Sequence, residues 1–319
     1  MPCYHPLGAY IYVESDSRKR LRFIPGYKAG DEQRHRLPIG AHSFTQVPCG
    51  KCIGCRLDYA SNWADRLSLE ALDYPSDKRW FVTLTYDDAH LPPLGKCGIH
   101  TLFPRDVTLF LKRLRSAYPS EDIRYFYSGE YGESDSKRPH YHLILFGHSF
   151  DDLKYYKAND LGDPLFTSEV LSSLWRCGYV VIGEFSWNTA AYTARYVLKK
   201  VKGSGAKDLY RDAGILPEFC RMSRRPGIGS RRFSLDSDSY QLPNGRMGSL
   251  PKSYLDKMKD VDPDAVDAIK AVRSCIGDMY ASERSRSLGT SLSEWLLSEE
   301  RRKILVSKTL KGGLHRVEI

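Results

Sequence analysis

In the segment HYHLILFG, residues 140–147, His140 and His142 lie two positions apart, so on a strand both imidazoles project from one face. Two imidazoles a few ångströms apart form half of a divalent-metal site. The preceding segment IRYFYSGEYG, residues 123–132, also has strand composition, and the polar ESDSKRP between the two reads as a hairpin loop. A turn centred near Asp135 sets Glu130 opposite His140 and brings its carboxylate to the histidine pair; Glu133, nearer the turn, is the alternative. Tyr141 then points to the opposite face, into a helix layer. The plain alternative for the histidines is a solvent-facing pair that binds nothing.

The segment TAAYTARYVLKK, residues 189–200, places Tyr192 and Tyr196 one turn apart on a single helical face. Lys199 follows near that face, with Lys200 beside it. A tyrosyl oxygen attacks a phosphodiester when its proton is lost and the phosphate is polarised. A metal could do the second, and Lys199 could lower the phenol pKa and stabilise the phosphorane. Two such nucleophiles allow two successive transesterifications. Tyrosines at this spacing also serve as packing residues, and the chain has 21 of them, so the spacing alone decides nothing. Their position does: the helix comes directly after a strand, where it can cross the histidine face.

A third cluster, VPCGKCIGC, holds Cys49, Cys52 and Cys55 at successive three-residue steps. Three thiols so spaced ligate one Zn²⁺ through a tight turn that Gly50 and Gly54 permit, given a fourth donor. Cys3 and His5, near the N-terminus, are the candidates, and the site would staple the N-terminal segment onto the first helix. A redox Cys-x-x-Cys pair is the rival. Cys97, Cys177, Cys220 and Cys275 carry no such pattern.

These groups need a scaffold. Helical periodicity begins near Leu57 and ends at the Pro-Ser-Asp turn of 75–77. RWFVTLTYDD (79–88) reads as a strand with Thr83 and Thr85 on one face, DVTLFLKRLRSAY as a helix opened by Pro104 and Asp106, and TSEVLSSLWR (167–176) as a helix capped by Thr167. GYVVIGEFS (178–186) is the fourth strand. The order β-α-β-β-α-β followed by a helix predicts an α+β fold: a ferredoxin-like split βαβ antiparallel sheet with helices on one face. Composition divides the chain into a Cys-rich segment (1–60), this sheet domain (61–203) and a basic, loop-rich and helical extension (204–319). Within the extension, RMSRRPGIGSRR (221–232) reads equally as a track for a nucleic-acid backbone or as a solvated loop.

The chain has 319 residues, a net charge of +9 and a mean hydropathy of −0.45. The basic balance favours a polyanionic partner. No stretch reaches the roughly 18 uncharged apolar residues of a membrane helix, and MPCYHPLGAY has no signal-peptide pattern, so the expected location is cytoplasmic. GRMGSLPKS lacks the glycine before Lys252 that a phosphate-binding loop requires, so no ATPase is expected.

Taken together, FVTLTY (81–86), GEYGESDSKRPHYHLILFG (129–147) and YTARYVLKK (192–200) resemble the HUH endonucleases, the rolling-circle replication initiators. Tyr-x-x-x-Tyr-x-x-Lys is similar to their two-tyrosine branch in small single-stranded DNA phages. MPCYHP, VPCGKCIGCRLDYASNWADRL and RMSRRPGIG narrow the resemblance to initiators of gokushovirus-type microviruses. The resemblance implies that His140, His142 and Glu130 bind Mg²⁺ or Mn²⁺ and that Tyr192 and Tyr196 are nucleophiles assisted by Lys199. It also implies that the origin strand is cut through a 5′-phosphotyrosine and later rejoined as a circle, in the host bacterium's cytoplasm. Single-stranded origin DNA, replicative-form DNA, and a host helicase and polymerase would be the partners. A transposase or relaxase of the same chemistry is the nearest rival, though relaxases carry their tyrosines near the N-terminus. A non-catalytic nucleic-acid-binding module that stacks bases on aromatics is the third reading.

Overall fold

A computed structural model of the chain describes residues 3–15, 18–29, 36–132, 137–159, 162–195, 205–242 and 245–314. These fall into two compact units, Met1–Asp58 with Lys257–Leu314, and Tyr59–Asp256. The first unit opens with β1 (Leu7–Val13), β2 (Lys19–Phe23) and β3 (Ser43–Val47), an antiparallel sheet in the order β2-β1-β3. α1 (Ile53–Ala71) follows, starting earlier than its apolar periodicity suggests because Cys52 caps it: the Cys52 Sγ accepts the Cys55 amide at 3.5 Å.

The second unit continues with β4 (Arg79–Tyr86), α2 (Pro104–Ala117), β5 (Arg124–Tyr131), β6 (Pro139–Phe146), β7 (Lys154–Ala158), β8 (Pro164–Thr167), α3 (Glu169–Trp175), β9 (Gly178–Glu184) and α4 (Trp187–Arg195). After these come α5 (Ala206–Ala213), β10 (Phe219–Met222), β11 (Ser239–Gln241), β12 (Met247–Ser249) and α6 (Lys252–Met258). α7 (Pro263–Ser287) and α8 (Leu292–Leu314) return to the first unit. The extension expected as one block over 204–319 is therefore divided between the units. None of the helices, over the described residues, is long and apolar enough to cross a membrane.

The central sheet runs β10-β5-β6-β4-β9-β8-β7, with every neighbouring pair antiparallel. The four strands expected from sequence occupy its middle, in the order second, third, first, fourth. The β7–β8 hairpin and β10 extend its two edges and were not expected. α3 is capped by Ser168, whose hydroxyl accepts the Leu171 amide at 3.0 Å, whereas Thr167, the expected cap, ends β8.

Helices cover both faces of this sheet, not one. Tyr141, Leu143 and Leu145 of β6 and Val82 and Leu84 of β4 pack against Val107, Phe110, Leu111 and Leu114 of α2 and against Trp175 of α3. Burying each of the α2 side chains contributes about 1.5–3 kcal/mol. Tyr141 faces this layer as expected, and its buried hydroxyl accepts the Phe103 amide at 2.7 Å. On the other face Phe81, Phe126, Ile144 and Phe146 meet Ala60, Ala64, Leu67 and Ala71 of α1 and Ala190, Ala191 and Ala194 of α4. The reason lies in β4 and β6, which are apolar at both alternations, as strands buried on two faces must be.

Within the Arg-rich stretch, Ile228 and Gly229 are buried while Arg221, Arg224, Arg225, Arg231 and Arg232 stay exposed. Ile228 is fully buried against α1 and the sheet, its carbonyl accepts Arg66 Nε at 3.0 Å, and the Gly229 amide donates to Glu70 Oε2 at 2.6 Å. Gly229 has φ +70°, and a Cβ there would sit 2.6 Å from the Arg66 carbonyl oxygen, so only glycine fits. Arg124, paired with Glu70 in the interior, also donates to the Pro226 carbonyl at 2.9 Å.

Candidate active site

The register of the three central strands assembles the site. β5 and β6 pair Glu130 with His140 and Ser128 with His142, while β4 and β6 pair Thr83 with His142 and Thr85 with His140. All of these lie on the face of Ile144 and Phe146 toward the start of β6, so the apolar layer under α1 and α4 gives way to polar groups at His142.

Both imidazoles converge on one carboxylate oxygen. His140 Nε2 lies 2.6 Å and His142 Nε2 2.9 Å from Glu130 Oε1. The His142 and Glu130 side chains are 3% and 2% exposed, and His140 is 18% exposed, so the cluster opens to solvent at His140. Burial would raise the Glu130 carboxyl, but hydrogen bonds from His140 and His142 outweigh it and hold the group down at about 2. Glu133, the alternative carboxylate, lies outside the described residues, as do Tyr196, Lys199 and Lys200.

The far ring nitrogens are tethered. His140 Nδ1 lies 3.1 Å from the Arg138 carbonyl and His142 Nδ1 lies 3.2 Å from Thr83 Oγ1. A carbonyl only accepts, so His140 carries a proton on Nδ1, and Nε2 faces Glu130 either as a second N–H donor or as a lone pair free for a cation. At 2.6 Å from the carboxylate oxygen, that position takes either a ring proton or a metal cation. The donor set, two nitrogens and one oxygen mutually within 4.8 Å, could hold a divalent ion, and the two tethers fix the ring orientations.

Phe81 stacks on His142, with centroids 5.6 Å apart and planes 7° from parallel. Tyr192 of α4 meets the same imidazole edge-on at 5.2 Å and Phe81 at 6.0 Å. α4 comes this close because Ala190, Ala191 and Ala194 form its buried side.

Two contributors escaped the sequence reading. Arg138 holds His140 through its carbonyl, donates from its guanidinium to the Tyr86 carbonyl at 2.9 Å and pairs with Asp88. Thr83 shares a face with Thr85, as expected; nothing in its spacing announces the bond to His142. Elsewhere, in the first unit, the sulfurs of Cys3, Cys49, Cys52 and Cys55 form a second group that could hold a metal ion.

The family model for replication-associated protein ORF2/G2P matches residues 79–201, from β4 through the whole tyrosine segment. Replication-associated protein ORF2 of Spiroplasma virus 4 is 33% identical over 98% of both chains. The chain belongs to the microvirus replication-associated proteins. Within this family, replication-associated protein VP4 of Bdellovibrio phage phiMH2K is 33% identical over 68% of this chain and 69% of its own. Replication-associated protein ORF4 of Chlamydia phage 1 is 32% identical over 50% of this chain and 41% of its own. No solved structure gives a significant match. The matched span takes in Glu130, His140, His142 and Tyr192, so the residues gathered on the sheet are those of the family's common region.

Proposed function

We propose that this protein initiates rolling-circle replication by nicking one strand of the phage origin through a 5′-phosphotyrosine and later rejoining that strand into a circle. The observation that carries the reading is the meeting of His140, His142 and Glu130 on the sheet with Tyr192 above them on α4. The strand order supports it too, because second-third-first-fourth is the order of a split βαβ, ferredoxin-like sheet, the scaffold of the HUH endonucleases.

His140, His142 and Glu130 would hold Mg²⁺ or Mn²⁺, which supplies polarisation of the scissile phosphate. The chain's own residues do the rest. Arg138 and Thr83 fix the two imidazoles in the orientation that presents Nε2. Tyr192 or Tyr196 gives up its phenolic proton, assisted by Lys199, and its oxygen bonds to phosphorus. The bond from phosphorus to the 3′ oxygen breaks, and that oxygen takes a proton to leave a free 3′-OH for the host polymerase. Rejoining reverses the step, a 3′-OH displacing the tyrosine. One phosphodiester replaces another throughout, so the cleavage and joining need no nucleotide hydrolysis; strand separation falls to a host helicase.

A nicking assay on a single-stranded origin oligonucleotide with Mn²⁺ tests this. Wild type should form a covalent protein–DNA adduct, and His140→Ala and the Tyr192→Phe/Tyr196→Phe double variant should form none. The single tyrosine variants assign which residue attacks first. An undiminished adduct in the double variant overturns the mechanism, and full DNA affinity without any adduct in wild type would favour a non-catalytic binding module.

A further inference from the structure

We infer that Cys3, Cys49, Cys52 and Cys55 hold one Zn²⁺, and that this ion locks the two separate stretches of the first unit together, the N-terminal sheet segment and the C-terminal helix α8. The site is remote in sequence from the histidine cluster and stands whether or not the nicking chemistry does.

The four sulfurs lie within 4.8 Å of one another, and none is in a disulfide. Cys52 Sγ and Cys3 Sγ are 4.0 Å apart. A disulfide needs about 2.05 Å, whereas four sulfurs placed tetrahedrally about 2.3 Å from a zinc ion lie about 3.8 Å from each other. The spacing is that of thiolates around an ion. A redox pair, Cys49 with Cys52 or Cys52 with Cys55, would use only two of the four gathered sulfurs.

Backbone amides are aimed at the sulfurs. Lys51 and Cys52 donate to Cys49 Sγ at 3.4 and 3.3 Å, Cys49 to Cys3 Sγ at 3.1 Å, and Tyr4 and Cys55 to Cys52 Sγ at 3.4 and 3.5 Å. Gly50, at φ +67°, makes the turn that lets Cys49 receive two of them. Amide donors stabilise sulfur in its ionised form, which is the form that ligates. Cys55 sits in the first turn of α1, where the helix dipole favours the same charge. His5, the other candidate for fourth donor, is engaged elsewhere, with Nε2 2.5 Å from Glu300.

Around the sulfurs lies a small apolar cluster, and it is built from both ends of the chain: Tyr4 and Cys52 pack with Trp295 and Leu296 of α8. A cluster this small depends on a cross-link to stay folded. The ion fastens residues 3 and 49–55, and α8 docks on what the ion has fastened.

The test uses the full chain carrying His140→Ala, so that the other metal site cannot contribute. Elemental analysis should return one zinc per chain, cobalt exchanged into it should give the visible absorption of tetrahedral thiolate coordination, and Cys52→Ser should lose both. Chelator treatment of the unsubstituted cysteines, followed by limited proteolysis and mass spectrometry, should open new cuts within residues 257–306, so the reading survives even if Cys52→Ser fails to fold. Four freely titrating thiols without metal in a protein whose α8 resists protease overturns the inference. So does a disulfide among the four, or a proteolytic pattern that chelation leaves unchanged.

Discussion

Thr83→Val isolates the role of the second-shell contacts at the histidine cluster. The substitution keeps the β-branched shape of a buried position in β4 and removes only the hydroxyl that lies 3.2 Å from His142 Nδ1. Neither the donors on β6 and β5 nor the α4 packing is touched. Removing an outer-shell partner of a ligating histidine lowers metal affinity about 10–100-fold, which corresponds to roughly 1.4–2.8 kcal/mol. A smaller loss appears in the fold, since removing one hydrogen bond costs about 0.5–1.5 kcal/mol. The assay is adduct formation on an origin oligonucleotide across a Mn²⁺ titration, at a temperature where circular dichroism reports both proteins folded. Half-maximal Mn²⁺ should rise about 10–100-fold, and the yield at saturating Mn²⁺ should approach that of wild type, because no nucleophile or direct ligand has changed. Thr83→Ser, which keeps the hydroxyl, should return the titration close to wild type. An unchanged Mn²⁺ dependence in Thr83→Val would falsify the claim that Thr83 orients a ligating His142. A loss of yield that saturating metal cannot restore would mean that the hydroxyl acts on the reaction itself.

Four other outcomes follow from the same geometry. Glu130→Gln retains a hydrogen-bonding oxygen next to both imidazoles but removes the charge, so it should weaken Mg²⁺ support of adduct formation more than Mn²⁺ support; equal adduct yields to wild type with both ions would exclude Glu130 as a ligand. Ala194→Leu forces a larger side chain between α4 and the sheet and should cost about 1–3 kcal/mol in urea denaturation, together with a drop in nicking as Tyr192 is lifted from His142. Ile228→Ala should destabilise by about 2–5 kcal/mol while leaving the salt dependence of DNA binding unchanged, which separates a packing role for 226–230 from contact with phosphates. Arg124→Met strands the buried Glu70 carboxylate and should cost about 3–5 kcal/mol by denaturant titration; a neutral result would show that the Gly229 amide alone suffices for Glu70.

The strands and helices of the site were legible because their period is local. Alternation put His140 and His142 on one face, and the length of the polar loop put Glu130 opposite His140, which is the pairing the sheet has. What could not be read depends on contacts far apart in sequence. Thr83 reaches His142 across 59 positions, and Glu70 meets Gly229 across 159. Periodicity carries no information about such pairs. The second helical layer was half legible: the tyrosine helix was expected across the histidine face, but two-sided apolarity does not say that α1 joins it there. Composition over 203–251, rich in Gly, Pro and Arg, suggested a loop-rich extension, and within it the chain adds the edge strand β10 and the buried Ile228. The edge hairpin of β7 and β8 was missed because KYYKA, with only short alternation and exposed side chains, resembles loop sequence.

The division of labour across the site has a structural logic. Glu130, the two histidines and Thr83 come from three adjacent strands in the middle of a seven-stranded sheet, each hydrogen-bonded to its neighbours and packed on both faces. A donor set held by paired strands keeps its spacing without help from the ligand, as metal chemistry requires. Tyr192 belongs to a different kind of element. α4 meets the sheet through Ala190, Ala191 and Ala194, with Trp187 and Tyr192 packed beside them. In the proposed reaction the donors on the sheet would stay in place while Tyr192 carries the attached strand. Enlarging the alanine contact should therefore slow rejoining as well as cutting, whereas a lesion confined to the floor, such as Thr83→Val, should shift only the metal dependence of both.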